Sequence, residues 1–279
     1  MGRVDLHIHT SASDGVLSPA EVVRAAVEKG LIAIAITDHD TIDGLDEALA
    51  AAAGTGLEVV PGIELSAEHG DQEVHILGYY LDHQDVTLRD KLGLLRRARR
   101  ERAWKMVGRL AGMGMPVSWE LVAQIAGATS AFGRPHIAQA LLDAGFVGSM
   151  DEAFDRYIGL KGPAYVARYK LSPEEALSVI ADAGGVPVLA HPWRREDLVP
   201  RLVANGLAGV EAYYPKYSTE ESRALAQLAE RYGLIATGGS DFHGYGDGAA
   251  QLLGQVPLPE GSVERLRALA DRRRAEGAD

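Results

Sequence analysis

Residues 4–9 read Val4-Asp5-Leu6-His7-Ile8-His9, and residues 31–37 read Leu31-Ile32-Ala33-Ile34-Ala35-Ile36-Thr37. Each run has the length of a strand and is rich in β-branched residues, which favours strands buried within a sheet. The pattern recurs as LEVV at 57–60, EVHILGYY at 73–80, GVPVLAH at 185–191, GVEAYY at 209–214 and LIATGG at 234–239. Helix signals lie between several of these runs. Ser18-Pro19-Ala20-Glu21 supplies an N-cap, a proline suited to the first turn and a capping-box glutamate, and Gly30 follows as a stop. Ser172-Pro173-Glu174-Glu175 repeats the device ahead of Gly184, and a further helix is expected from Thr219 to Gly233. Seven strand–helix alternations predict a parallel sheet, more naturally closed as a barrel than spread open.

The middle of the chain differs. Strand signals vanish from Val86 to Lys170, and Thr87 to Leu110 predicts one long helix. That helix carries nine basic residues against two acids, a local charge of +7 within a chain of net charge −11. The remainder therefore carries −18. The division expected is a barrel domain from residues 1–85 and 171–279, with a helical insertion domain at 86–170. The arginine run fits either a solvated helix face or an electrostatic guide for a phosphorylated substrate.

The chain has 279 residues, no cysteine and nine histidines. Without cysteine there are no disulfides, thiolate catalysis or sulfur-ligated metals, so any metal site must use histidine and carboxylate. No apolar run approaches the ~20 residues that span a bilayer, and the N-terminus has no signal core, so a cytoplasmic protein is expected. The acidic balance argues against an extended DNA-binding surface.

Alternation along the first strand puts Asp5, His7 and His9 on one face. Two imidazoles so spaced can grip one metal ion. Asp14 follows that strand, Asp38-His39-Asp40 follows the second, Glu64 the third, His191 the GVPVLAH run and Asp241-Phe242-His243 the last, while His75 lies within EVHILGYY. Singly, each has an ordinary explanation: a capped turn for His39, a solvated acid for Glu64, a satisfied core histidine for His75, a helix cap for Asp241. Together, six histidines and three carboxylates at strand ends point to a multinuclear metal centre.

DLHIHTSASDG (5–15), TDHDT (37–41), GIELSA (62–67), HILGY (75–79), LAHPWR (189–194) and GGSDFHG (238–244) resemble the ordered motifs of the PHP (polymerase and histidinol phosphatase) family. GRPHIAQAL (133–141) further resembles the branch that hydrolyses nucleoside 3′,5′-bisphosphates and trims short RNA from its 5′ end. The resemblance implies a distorted (β/α)7 barrel holding three divalent ions. It implies His7, His9, Glu64 and Asp241 on one metal, Asp14, His39 and His191 on a second, and a bridging Glu64 with His75 and His243 on a third. Some family members have histidine where this chain has Asp14. A nitrogen and oxygen donor set suits Mn²⁺, Fe²⁺ or Zn²⁺.

The activity expected is metal-dependent phosphoester hydrolysis, with a metal-bound hydroxide as the attacking species. The substrate expected is a small nucleotide or a short RNA. Arg134 and His136, after Gly133, are candidates to clamp a phosphate, as is Arg194 beyond His191; His243 joins them as a candidate catalytic group. Asp5, Asp40 and Ser240 are candidates to orient the histidines, and Glu211 is expected at the rim. His69 and His83 are expected at the surface. Two rivals remain, a histidinol-phosphate phosphatase and an inactive, metal-stabilised nucleotide-binding module.

Overall fold

A computed structural model describes residues 3–70, 72–127, 133–167, 171–245 and 252–276. The chain divides into two compact units, residues 1–90 with 171–279, and residues 91–170. In the first unit seven strands form one sheet in chain order: β1 (Arg3–Ile8), β2 (Leu31–Ile36), β3 (Glu58–His69), β4 (Gln72–Tyr79), β5 (Val186–Leu189), β6 (Gly209–Tyr213) and β7 (Ile235–Gly238). Among the described residues the α-helices of this unit are α1 (Pro19–Glu28), α2 (Leu45–Ala52), the start of α3 (Val86–Gly112), α7 (Pro173–Asp182), α8 (Val199–Val203), α9 (Thr219–Arg231) and α10 (Ser262–Glu276). The Ser18 and Ser172 caps read from the sequence form as expected, and Ser218 adds a third of the same kind. Ser18, Ser172 and Ser218 each accept the N–H of a glutamate three residues on, and that glutamate accepts the serine N–H in return.

The sheet departs from expectation in two ways. It is mixed, because β3 pairs antiparallel with β4 and β4 with β5, while the other neighbours are parallel. The third strand does not stop at Val60 but runs on through Glu64 to His69, so the chain has no room for a crossover before β4. A parallel return needs a dozen or more residues. Here Gly70, at φ +61, turns the chain back after a single further residue.

Nor does the sheet close into a barrel, since no ladder joins β7 to β1. β7 has only four residues, and its continuation meets β1 at one isolated bridge between Ile8 and Phe242. Where further ladder bonds would form, the buried carboxylate of Asp5 instead accepts the N–H groups of Ser240 and Gly254, at 2.9 and 2.8 Å. Gly239 allows the close approach: a Cβ there would lie 2.4 Å from the His7 backbone nitrogen.

The interior is nevertheless filled. Leu6, Ala35, Val60, Leu77 and Val188 are buried in one cluster, and the Tyr79 hydroxyl donates to the Leu6 carbonyl, linking β4 to β1. Each buried valine or leucine contributes roughly 1.5–3 kcal/mol.

The second unit contains the rest of α3 with α4 (Trp119–Ala126), α5 (Arg134–Asp143) and α6 (Met150–Ala153), packed around Met106, Leu110, Val122, Ile137 and Leu141. Arg134 opens α5, and its guanidinium lies 5.6 Å from the Phe154 ring centroid. His136 is buried and its Nδ1 accepts the N–H of Gly133, capping the helix.

Candidate metal centre

The alternation of β1 delivers His7, and His9 follows immediately past the strand. Both imidazoles are fully buried, and their Nε2 atoms stand 3.1 Å apart. Glu64 Oε2 lies 3.2 Å from each, and Asp241 Oδ1 lies 3.4 Å from His7 Nε2 and 3.2 Å from His9 Nε2. Four ligand atoms from β1, β3 and the segment after β7 thus converge on one point.

Glu64 is the hub. Its Oε2 also faces His39 Nδ1 at 3.2 Å, while its Oε1 faces His75 Nδ1 at 2.9 Å and His191 Nε2 at 3.2 Å. Beside this hub Asp14 faces His243 Nε2 at 3.4 Å, His9 Nδ1 at 3.7 Å and His39 Nε2 at 3.9 Å. His243 therefore stands with Asp14 and His39, and His191 with Glu64 and His75, so these two histidines exchange the places the resemblance implied. The reason lies in the strands that carry them. His191 follows β5, the neighbour of β4 and its His75, whereas the loop holding His243 sits against β1 and the Asp14 turn, with Val16 N–H donating to the His243 carbonyl.

Partners behind the cluster aim several of its nitrogens. Glu211 accepts a hydrogen bond from His7 Nδ1 at 2.9 Å, which places the proton there and turns the Nε2 lone pair inward. Its other oxygen accepts the His191 N–H at 2.8 Å. His243 Nδ1 donates to the Asp241 carbonyl, and His75 Nε2 to Glu73. The Tyr214 hydroxyl donates to Asp241 Oδ2 at 2.7 Å, leaving Oδ1 towards the two histidines. His191 and Asp241 both have positive φ, +29 and +50, a strain typical of functional sites.

Burial pushes Glu64 and Asp241 up, but the surrounding histidines outweigh it and hold both carboxyls well below the usual range. Asp14 is likewise held down, by His39 and His243 against its burial. Burial pushes His39 down to about 4 despite Glu64 and Asp14, leaving it as the neutral imidazole that ligates metals. His9 goes the other way: burial lowers it, yet Asp241 and Glu64 raise it to about 10. Its surroundings demand a positive charge. His9 Nδ1, His39 Nδ1 and Glu64 Oε2 are buried without hydrogen-bond partners among the described residues, and crowded lone pairs of this kind are costly unless a cation lies among them. The donor set fits divalent ions, with candidate groupings His7–His9–Asp241, His9–Asp14–His39–His243 and His39–Glu64–His75.

A PHP domain model matches residues 5–170. The chain belongs to the PHP family. It is 35% identical to a 3′,5′-nucleoside bisphosphate phosphatase of Chromobacterium violaceum, over 93% of this chain and 93% of that protein. It is 33% identical to a 5′-3′ exoribonuclease of Haemophilus influenzae, over 86% of this chain and 90% of that one. A candidate metal-dependent phosphoesterase from Bifidobacterium adolescentis superposes with a TM-score of 0.86 at 33% identity, over 96% of each chain. Membership in the PHP family and the His/Asp/Glu groupings together point to divalent metal use.

The remaining site candidates of this PHP chain fall in different places. Arg194 is exposed, at φ +67, and forms no ion pair among the described residues. Asp5 spans the gap between β1 and β7, and Asp40 accepts the Ser66 N–H. His83 pairs with Asp46 and His69 meets Arg201, both away from the cluster. Glu211 is not a rim residue but is fully buried beneath His7. The sequence signal was an acid inside an apolar strand, since buried charges are paired. Asp38 is buried too, accepting the N–H and hydroxyl of Thr10 and the hydroxyl of Ser13, and so shapes the loop that carries Asp14.

Proposed function

We propose that this chain is a metal-dependent phosphoesterase that removes the 3′-phosphate from nucleoside 3′,5′-bisphosphates and extends to 5′-3′ trimming of short 5′-phosphorylated RNA. The observation that carries the reading is the Glu64 carboxylate with five imidazoles within 3.2 Å of its oxygens. The names of the relatives from Chromobacterium violaceum and Haemophilus influenzae support the two substrate classes. No helix among the described residues is long and apolar enough to cross a membrane.

Three groups would hold divalent ions: His7, His9, Glu64 and Asp241; Asp14, His39 and His243; and Glu64, His75 and His191. When bound, such ions polarise phosphoryl oxygens and make water more acidic. The chain's own residues prepare the place. Glu211 holds the proton on His7 Nδ1, and Tyr214 holds one oxygen of Asp241 so that the other faces inward. The planar Arg194 guanidinium, in no ion pair among the described residues, suits two non-bridging phosphate oxygens. Mn²⁺, Fe²⁺ and Zn²⁺ all suit the nitrogen and oxygen donors.

The test is phosphate release from adenosine 3′,5′-bisphosphate by chelated protein reloaded with Mn²⁺, compared with p-nitrophenyl phosphate and histidinol phosphate. A kcat/KM for the bisphosphate at least about 100-fold above the others is expected. Equal rates on all three would overturn the substrate assignment.

A further inference from the structure

Beside β6 and α9 lies a cavity of about 630 Å³ that the chemistry above does not use. Tyr213, Tyr214, Pro215 and Tyr217 line it, with Arg223 and Gln255 among its polar walls. Its size falls within the range of small-molecule sites.

Tyr214 belongs to both places. Its hydroxyl donates to Asp241, and its ring centroid lies 5.5 Å from that of His191. The rings continue outward, 5.1 Å from Tyr214 to Tyr217 and 6.3 Å from Tyr217 to Trp193. The Trp193 backbone N–H donates to the Tyr217 hydroxyl at 3.0 Å, which holds the Tyr217 side chain. Two cations accompany the rings. Lys216 Nζ stands 5.8 Å from the Tyr214 centroid, and Arg223 is exposed on the first turns of α9. Neither forms an ion pair with a described acid.

Half-buried tyrosines beside uncommitted cations match a flat, π-rich anion, because aromatic stacking tolerates any base and the cations attract phosphate. We propose that this cavity is the base-binding subsite for the nucleotide processed at the metal centre, with the base stacked on Tyr217 and Arg223 facing an anionic group. This rests on the phosphoesterase reading.

Calorimetric titration of the full-length protein, with and without Mn²⁺, using adenosine 5′-monophosphate and ribose 5-phosphate, separates the two ideas. The wild type is expected to bind the nucleotide at least ten-fold more tightly than the sugar phosphate. Tyr217→Ala is expected to lose that ratio while its affinity for ribose 5-phosphate stays within two-fold, and Tyr217→Phe to keep it. Ser222→Trp, at a surface helix position lining the cavity, fills the space without touching the core and is expected to have the same effect as Tyr217→Ala. Wild-type protein that binds both ligands equally, or variants that preserve the ratio, would overturn the subsite even if bisphosphate turnover is present. Base-dependent binding without bisphosphate turnover would uphold the subsite and sink the activity.

Discussion

Glu211 touches no solvent, and its two oxygens are committed to His7 Nδ1 and the His191 backbone. Glu211→Gln keeps the shape but weakens the hold on the imidazole proton. Metal affinity is expected to fall by ~10–100-fold, read by competition with a chromogenic chelator, with the circular dichroism spectrum unchanged. His39→Ala and Asp241→Ala remove inward-facing atoms themselves, and kcat is expected to fall by more than about 100-fold with most of the fold intact. Near-normal kcat with unchanged metal content would refute the ligand assignment. The inward residues were legible because strand alternation and strand ends make a pattern within a few residues. Glu211 was not, because its partner His7 is 204 positions away and an acid in an apolar run announces burial without naming its mate.

At the scale of elements, the capped helices at Ser18 and Ser172 were readable since each serine carries its partner three residues on, whereas strand direction was not. Glu64 and His75 were both expected in the site, yet β3 runs on to His69 and pairs directly with β4, Ser66 opposite His75 and His69 opposite Gln72, which leaves no length for a parallel crossover. The gap between β1 and β7 was equally hidden. Asp5→Ala would leave the Ser240 and Gly254 N–H groups buried and unpaired, and a loss of ~2–4 kcal/mol is expected in urea denaturation. Gly239→Ala forces a Cβ against the β1 backbone at His7. It is expected to cost ~1–3 kcal/mol and to lower the metal content of purified protein together with its stability.

For the molecule as a whole, a net charge of −11 includes three carboxylates packed among six histidines, and three divalent ions would bring it to −5. Ions that bind only the folded chain add stability by mass action, about 2.7 kcal/mol per site at a hundred-fold excess over the dissociation constant. Added Mn²⁺ is therefore expected to raise Tm by several degrees, and a chelator to reverse the rise; a Tm indifferent to both would contradict the centre. The span of that centre along the chain also has a consequence in time. His7, His9, Asp14, His39, Glu64 and His75 are translated well before Glu211, Asp241 and His243. At ~5–20 residues per second the interval is roughly 10–30 s. Under the proposed ligand assignment the nascent chain would for that period present an open set of donors without its closing ligands, so ions present during translation would compete for it before the finished protein could discriminate among them.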